Sequence, residues 1–310
     1  MTLGQLALER GEQRLQGLAL NVGYFRTWYG GFLATNNQAI PASGYDTYCI
    51  TAPKDSLLPG GGGNQICGLY DVKPAFFGRV DNLVTQASNY GGQTQVYNGV
   101  DLTLNGRFGQ GGQFSGGLST GRTVIDNCYI NDNPSLTSPV FLNVPALPAT
   151  STVPRNSDFC HVSPPWSSST QLKFLAVYPL PYDIETSAIV QNSPGIPITA
   201  SYVITNAQVQ SVLGRSLAAC PAAGTCTQTV RTELIPPNTM FEPRLTQVDL
   251  RVSRSFRMMG SARLRGSLDI YNIFNANSVL SMTPTYGASW RNAAQVLSPR
   301  LLRIGAQLDF

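Results

Sequence analysis

Charge is scarce in this chain. Asp, Glu, Lys and Arg make up 12% of its 310 residues, about half the share usual in a soluble globular protein. The 21 basic and 17 acidic residues leave a net charge of +4 with no lysine or arginine cluster, so the electrostatic footprint of a nucleic-acid binder is missing. Long apolar runs are missing as well. Nowhere do about 18 apolar residues follow one another, which excludes a membrane-spanning helix and leaves strands untouched. Histidine occurs once, as His161, and the cysteines are irregularly spaced, so no zinc ligand set can be assembled. Residues 1–16, with Glu9, Arg10, Glu12 and Arg14, lack the basic start and apolar core of an export signal. They also lack clean alternation, and are set apart here as an atypical N-terminal stretch, a possible start-site artefact, ahead of the main segment 17–310.

What the chain does have is period-2 alternation. Its last residues, 300–310, carry Leu302, Ile304, Ala306, Leu308 and Phe310 on one face. Arg303, Gly305, Gln307 and Asp309 occupy the other, so the pattern is that of a strand with one apolar and one wet face. Termini of soluble domains usually fray. An amphipathic strand ending on phenylalanine fits the closing strand of an outer-membrane barrel; the competing reading is an edge strand of a soluble sandwich.

Seven more segments alternate in the same way: 17–28, 93–107, 114–124, 171–178, 183–191, 245–256 and 263–274. In 245–256, Val248, Leu250, Val252 and Phe256 oppose Gln247, Asp249, Arg251, Ser253 and Ser255. In 263–274, Leu264, Leu268 and Ile270 oppose Arg263, Arg265, Ser267, Asp269 and Tyr271. Long polar connections follow the first, third, fifth and seventh segments. Short turns follow the second, fourth and sixth, at 109–112, 179–181 and 258–261. That two-sided rhythm is how outer-membrane barrels are built, with short periplasmic turns and long external loops. The fold class expected is all-β: an antiparallel transmembrane barrel portion of about eight strands, forming a curved and open sheet.

All six cysteines fall in the long connections, two to each of three. Six cysteines permit 15 pairings, and the simplest distribution is Cys49–Cys67, Cys128–Cys160 and Cys220–Cys226. Disulfides place those loops in an oxidising compartment.

Most candidate sites have a plain structural reading. Asp249, Arg251, Arg263, Arg265, Asp269, Arg303 and Asp309 form a polar face towards a lumen. They read as ion pairs between strands, with ligand contact as the alternative. Arg254 interrupts the apolar face near a short turn, where it can snorkel. Gly60 to Gly63 lacks the Lys-Ser/Thr of a phosphate loop. Gly117-Leu118-Ser119-Thr120-Gly121 has the spacing of a nucleophile elbow but lies within a strand, and the chain reads as a non-enzyme. Tyr45, Tyr48, Tyr70, Tyr90, Trp166, Tyr286 and Trp290 populate the long loops, either gripping a substrate or packing loop on loop.

The segments QVDLRVSRSF (247–256), LDIYNIFNANS (268–278), YGASW (286–290) and SPRLLRIGAQLDF (298–310) resemble the C-terminal end of TonB-dependent outer-membrane receptors. GYFRTWYGGF (23–32) and GLYDVKPAFFGRVDNLVTQASNYG (68–91) are similar to receptors carrying a carboxypeptidase-regulatory-like domain. The resemblance implies a parent barrel of about 22 strands, plugged by an N-terminal domain. Such a barrel takes up chelated metals, cofactors or oligosaccharides with energy from the inner-membrane TonB system. It implies outer-membrane lipid as surroundings, barrel-assembly machinery acting on the C-terminal strand, extracellular loops, a periplasmic C-terminus and no cofactor. The plug and most of such a barrel are not in this sequence, so the expectation is a truncated chain supplying wall strands and vestibule loops. The alternatives are a self-contained small outer-membrane barrel, passive pore or enzyme, and a secreted β-rich adhesion or binding protein.

Overall fold

A computed structural model describes residues 2–15, 17–136, 153–258 and 261–310. The expected turn residues Met259 and Gly260 lie outside the described residues. Nine strands follow one another in a single antiparallel sheet: β1 (Thr2–Leu15), β2 (Leu18–Gly30), β3 (Thr94–Phe108), β4 (Gly112–Asp126) and β5 (Gln171–Leu180), then β6 (Ile184–Ser193), β7 (Leu245–Arg257), β8 (Arg263–Tyr271) and β9 (Leu301–Asp309). A two-residue strand, His161–Val162, adds to the loop end of β4. Among the described residues β1 and β9 lack partners on their outer edges, so the sheet is open. The protein is all-β, with two short α-helices among the described residues, both in the connections.

Three expectations need correction. Thr2–Leu15 pairs along β2 with one irregularity between Arg10 and Gln13, although its sequence carries no clean alternation. Ladder hydrogen bonds are made by the backbone, so an edge strand needs no amphipathic signature to pair. The second short turn lies later than the expected 179–181. Pro179 is still in β5, paired with Glu185, and the bend falls on Tyr182 and Asp183, both at positive φ. Two consecutive left-handed residues are what a tight hairpin turn demands. Finally, β8 ends at Tyr271, short of Phe274, because Asn272 adopts φ 50° and turns the chain.

The register aligns the strands in straight cross-sheet rows. One row runs Leu18, Gly106, Phe114, Ala176, Ala188, Leu250, Ile270, Leu302. Every member is apolar or glycine, so the alternation read in separate segments belongs to one common face. The same row starts at the short-turn end of β2 and finishes at the loop end of β9. This stagger is the offset that tilts strands when a sheet curls towards a barrel.

Among the described residues no buried apolar side chain comes from strands β2 to β9. The core consists instead of residues of the long connections, among them Ile50, Leu69, Ile204, Val209, Leu234 and Trp290. A smaller cluster joins Ala34 and Ala87 to Ile130 and Leu136. The connections are therefore a folded cap, built on small antiparallel pairs: Leu33–Asn37 with Asn82–Gln86, Tyr45–Thr51 with Gln65–Val72, Ser201–Thr205 with Thr229–Glu233, and Val279–Met282 with Ala293–Val296. Helix Asn206–Leu213 starts on a capping box between Thr205 and Gln208 and stops at Gly214, φ 76°. The two kinds of cap satisfy the orphaned groups at its ends.

Candidate functional site

The apolar face of the sheet is bare. Val22, Trp28, Leu180, Val252, Phe256, Leu268, Leu302 and Leu308 are all exposed, with Ile304 at 87% and Phe310 at 98%. In water such a surface is far larger than a monomeric protein tolerates without function. Aromatic side chains sit at both margins. Phe108, Phe114 and Tyr178 cluster near the short turns, with the Phe108 and Tyr178 rings stacked 5.5 Å apart. Trp28 and Trp166 are exposed at the loop margin. Arg254 lies on the apolar face near the short turns, its guanidinium 4.9 Å from the Phe256 ring centre. That is a cation held by a neighbouring aromatic ring.

The opposite face carries the buried polar side chains of the strands: Gln95, Ser253 and Asp269. Arg251, Asp269 and Arg303 stand in one row. Arg251 Nε donates to Asp269 Oδ1 at 3.0 Å, and Asp269 is 4% exposed. Arg263 is opposite Asp309, and Arg265 is opposite Gln307. Asp249 accepts from Gln247 Nε2 and from the Asn272 backbone N–H at 2.8 Å. The expected ladder thus reduces to one ion pair among the described residues, Arg251–Asp269, with its other members sharing the face. Leu175 and Ile189 break the polarity of this face. They are paired and exposed between Ser115 and Asp249. Two shallow depressions mark the wet face, one of about 620 Å³ beside Ala19, Asn105, Arg107 and Gln113, the other of about 310 Å³ beside Asp101, Thr103, Ser119 and Lys173.

The cap is held by contacts between connections. The three disulfides are Cys49–Cys67, Cys128–Cys160 and Cys220–Cys226. Arg215 joins the third connection to the first by ion pairs to Asp46 and Asp71. Trp290 Nε1 donates to the Thr199 carbonyl, and Tyr286 Oη donates to Asp55. Half-buried Arg155 donates to the carbonyls of Ile130, Asn133 and Leu136, with the Tyr70 ring 5.5 Å away. Of the loop aromatics, Tyr48 and Trp290 are core residues, Tyr286 packs against that core, and Trp166 is exposed. Loop packing accounts for most of the set.

The GxSxG stretch stays inside β4, with Ser119 Oγ donating to Asp101. His161 Nδ1 pairs with Asp126 at 3.0 Å. Hydrolytic geometry is absent there: the histidine is engaged elsewhere and no strand-to-helix elbow exists. The four-glycine run Gly60 to Gly63 has positive φ throughout and forms a surface turn.

Sequence reasoning missed the asparagines of the YNIFN stretch. Asn272 is buried, its Nδ2 donates to the Ala276 and Ser298 carbonyls, and its Oδ1 accepts from the Ala276 N–H. Asn275, also left-handed, accepts from the Arg300 N–H. Together they clamp the end of β8 to the start of β9. Asn is the residue that tolerates this backbone while bonding locally, so the signal was the residue type itself.

These features define an open antiparallel sheet with a bare apolar face, a wet face and a folded cap on one rim. Among solved structures the chain is similar to the outer membrane transporter YddB from Escherichia coli, at 9% identity and a TM-score of 0.43, covering 98% of this chain and 32% of that one. It is also similar to the ferripyoverdine receptor of the outer membrane of Pseudomonas aeruginosa, at 10% identity and a TM-score of 0.40, covering 98% and 26%. The chain thus spans about a third or less of the structures it matches. No protein-family model and no curated protein sequence matches it.

Proposed function

We propose that the nine strands are a sector of the wall of an outer-membrane, transporter-like barrel, with the cap on the extracellular side. One observation carries this reading. Among the described residues the strands β2 to β9 bury no apolar side chain, yet one face is largely apolar and uncovered, with Val22, Val252, Leu302 and Ile304 exposed. A soluble sandwich would cover that face with a second sheet; a lipid-facing wall leaves it bare. The short turns then lie in the periplasm with the C-terminus. The wet face lines a lumen, where Arg251, Asp269, Arg303 and the rest of the charged set pack against whatever fills it.

The open edges of β1 and β9 support a sheet completed by further strands, since unpaired edges are an aggregation liability that membrane walls remove by closure. The TonB-like sequence motifs support energy-coupled uptake of a scarce nutrient, a chelated metal, cofactor or oligosaccharide, with the plug provided by sequence outside this chain. Barrel-assembly machinery would engage β9. The chain is not an enzyme on this reading.

Fractionation of cells carrying the gene in its natural context tests it. The expected result is recovery in the outer-membrane fraction, resistant to high-pH carbonate and released only by detergent. Recovery in the soluble fraction would overturn the reading.

A further inference from the structure

The loop margin of the apolar face carries arginines where lipid would be expected. By parity with Val22 and Leu118, Arg26 of β2 and Arg122 of β4 point to the apolar side. The register puts them in one row, Arg26–Asn98–Arg122, about 10 Å apart across two strand spacings. Arg26 is exposed, and its contact is a long 3.4 Å bond to Asn98 Oδ1. Arg122 reaches Ser163 Oγ at 3.5 Å and lies over the Trp166 ring at 5.6 Å. Neither is ion-paired among the described residues. Asn98 Oδ1 also accepts from Tyr24 Oη at 2.8 Å, which fixes the amide between the two cations. One carboxylate shares this margin, Asp126, and it is taken up by His161. A further arginine, Arg244, spends its donors on Asn192 and on the Ser167 and Thr170 carbonyls; it closes the margin without offering a free fork.

We infer that Arg26 and Arg122, flanked by Trp28 and Trp166, form a binding site for the phosphorylated headgroup of an outer-leaflet glycolipid. The inference rests on the membrane reading above and adds a ligand to it. Guanidinium matches phosphate with paired N–H donors and is less strongly hydrated than ammonium. Its partners here hold the two forks without neutralising them. Trp28 and Trp166 supply the amphipathic flanks that settle at headgroup depth. Two cations a headgroup's width apart on the lipid side favour a lipid bearing more than one phosphate over a zwitterionic one.

The test uses the full chain, recovered from membranes in non-ionic detergent, titrated with diphosphoryl lipid A and with its dephosphorylated form. The wild type should bind the phosphorylated probe selectively. Arg26→Gln and Arg122→Gln should each weaken binding about fivefold, the electrostatic share of one cation near a charged membrane surface. Lysine at both positions should retain part of the affinity, and Arg303→Gln on the wet face should leave it unchanged. Equal binding of both glycolipids, or unchanged binding in the Arg26→Gln/Arg122→Gln variant, overturns the inference while leaving the membrane reading intact. Recovery of the chain without detergent would instead remove the membrane reading, and the inference with it.

Discussion

Glu233 is a carboxyl group in the wrong place for a charge. It sits in the cap, 9% exposed, with Oε2 unpartnered among the described residues. Burial pushes its pKa above the ordinary 4.5, opposed by hydrogen bonds from Ser201 and the Ala200 N–H. A raised carboxyl pKa means the folded state holds its proton to higher pH than the unfolded chain. Below about 4.5 both states are protonated and no penalty arises; as pH rises from there, stability is lost. Glu233→Gln should therefore raise the melting temperature of the cap at pH 7, with the gain vanishing as pH falls below 4.5. A thermal-shift series across pH measures it. Arg155 is the converse case, a half-buried cation satisfied by three carbonyls. Arg155→Met should lower cap stability by about 2–3 kcal/mol, because charge-assisted bonds are lost and buried acceptors are orphaned. Denaturant unfolding followed by tryptophan fluorescence would record it.

Among the elements, the strands were legible and the cap was not. The apolar face of β7, β8 and β9 follows from alternation alone, since Leu250, Ile270 and Leu302 occupy the same parity in each. β1 escaped because backbone pairing leaves no periodic trace. The cap escaped for a different reason. Its core joins Ile50, Ile204 and Trp290, residues far apart in sequence, and no local period announces such contacts. The cysteines were the cap's one readable feature, since a pair confined to each connection has a simplest partner. The polar ladder was legible as a face but not as pairs: shared parity puts charges on one side, whereas side-chain rotamers decide which of them meet.

The faces make opposite predictions for the same substitution. Ile304→Lys should destabilise the membrane-inserted sheet by about 2–4 kcal/mol if it lies near the bilayer midplane. Gln307→Lys, on the wet side of the same strand, should cost less than about 0.5 kcal/mol. Urea titration in reconstituted bilayers compares them. Removing Cys128–Cys160 by serine substitution at both positions should loosen the second connection. Its 32-residue separation gives about 3–4 kcal/mol of chain-entropy stabilisation, read as faster hydrogen exchange at residues 128–130 and 157–162.

At the scale of the molecule, the protein inverts the usual arrangement. Its sheet has a bare apolar face and a polar face, and its apolar core lies in the connections. The stagger from Leu18 to Leu302 tilts the strands. The same tilt explains why Arg26 stands well above the row that contains Leu302 while both remain at the loop margin of their own strands. Open edges on β1 and β9 fit a wall that continues beyond them.

Nitroxide scanning along β9 in lipid bilayers tests the central claim most directly. Single labels at 302 to 308, read by collisional access of oxygen and of a water-soluble nickel chelate, should alternate. High oxygen access and low nickel access are expected at 302, 304, 306 and 308, with the reverse at 303, 305 and 307. Uniform water access at every position, or oxygen access following the odd-numbered residues, would contradict the account.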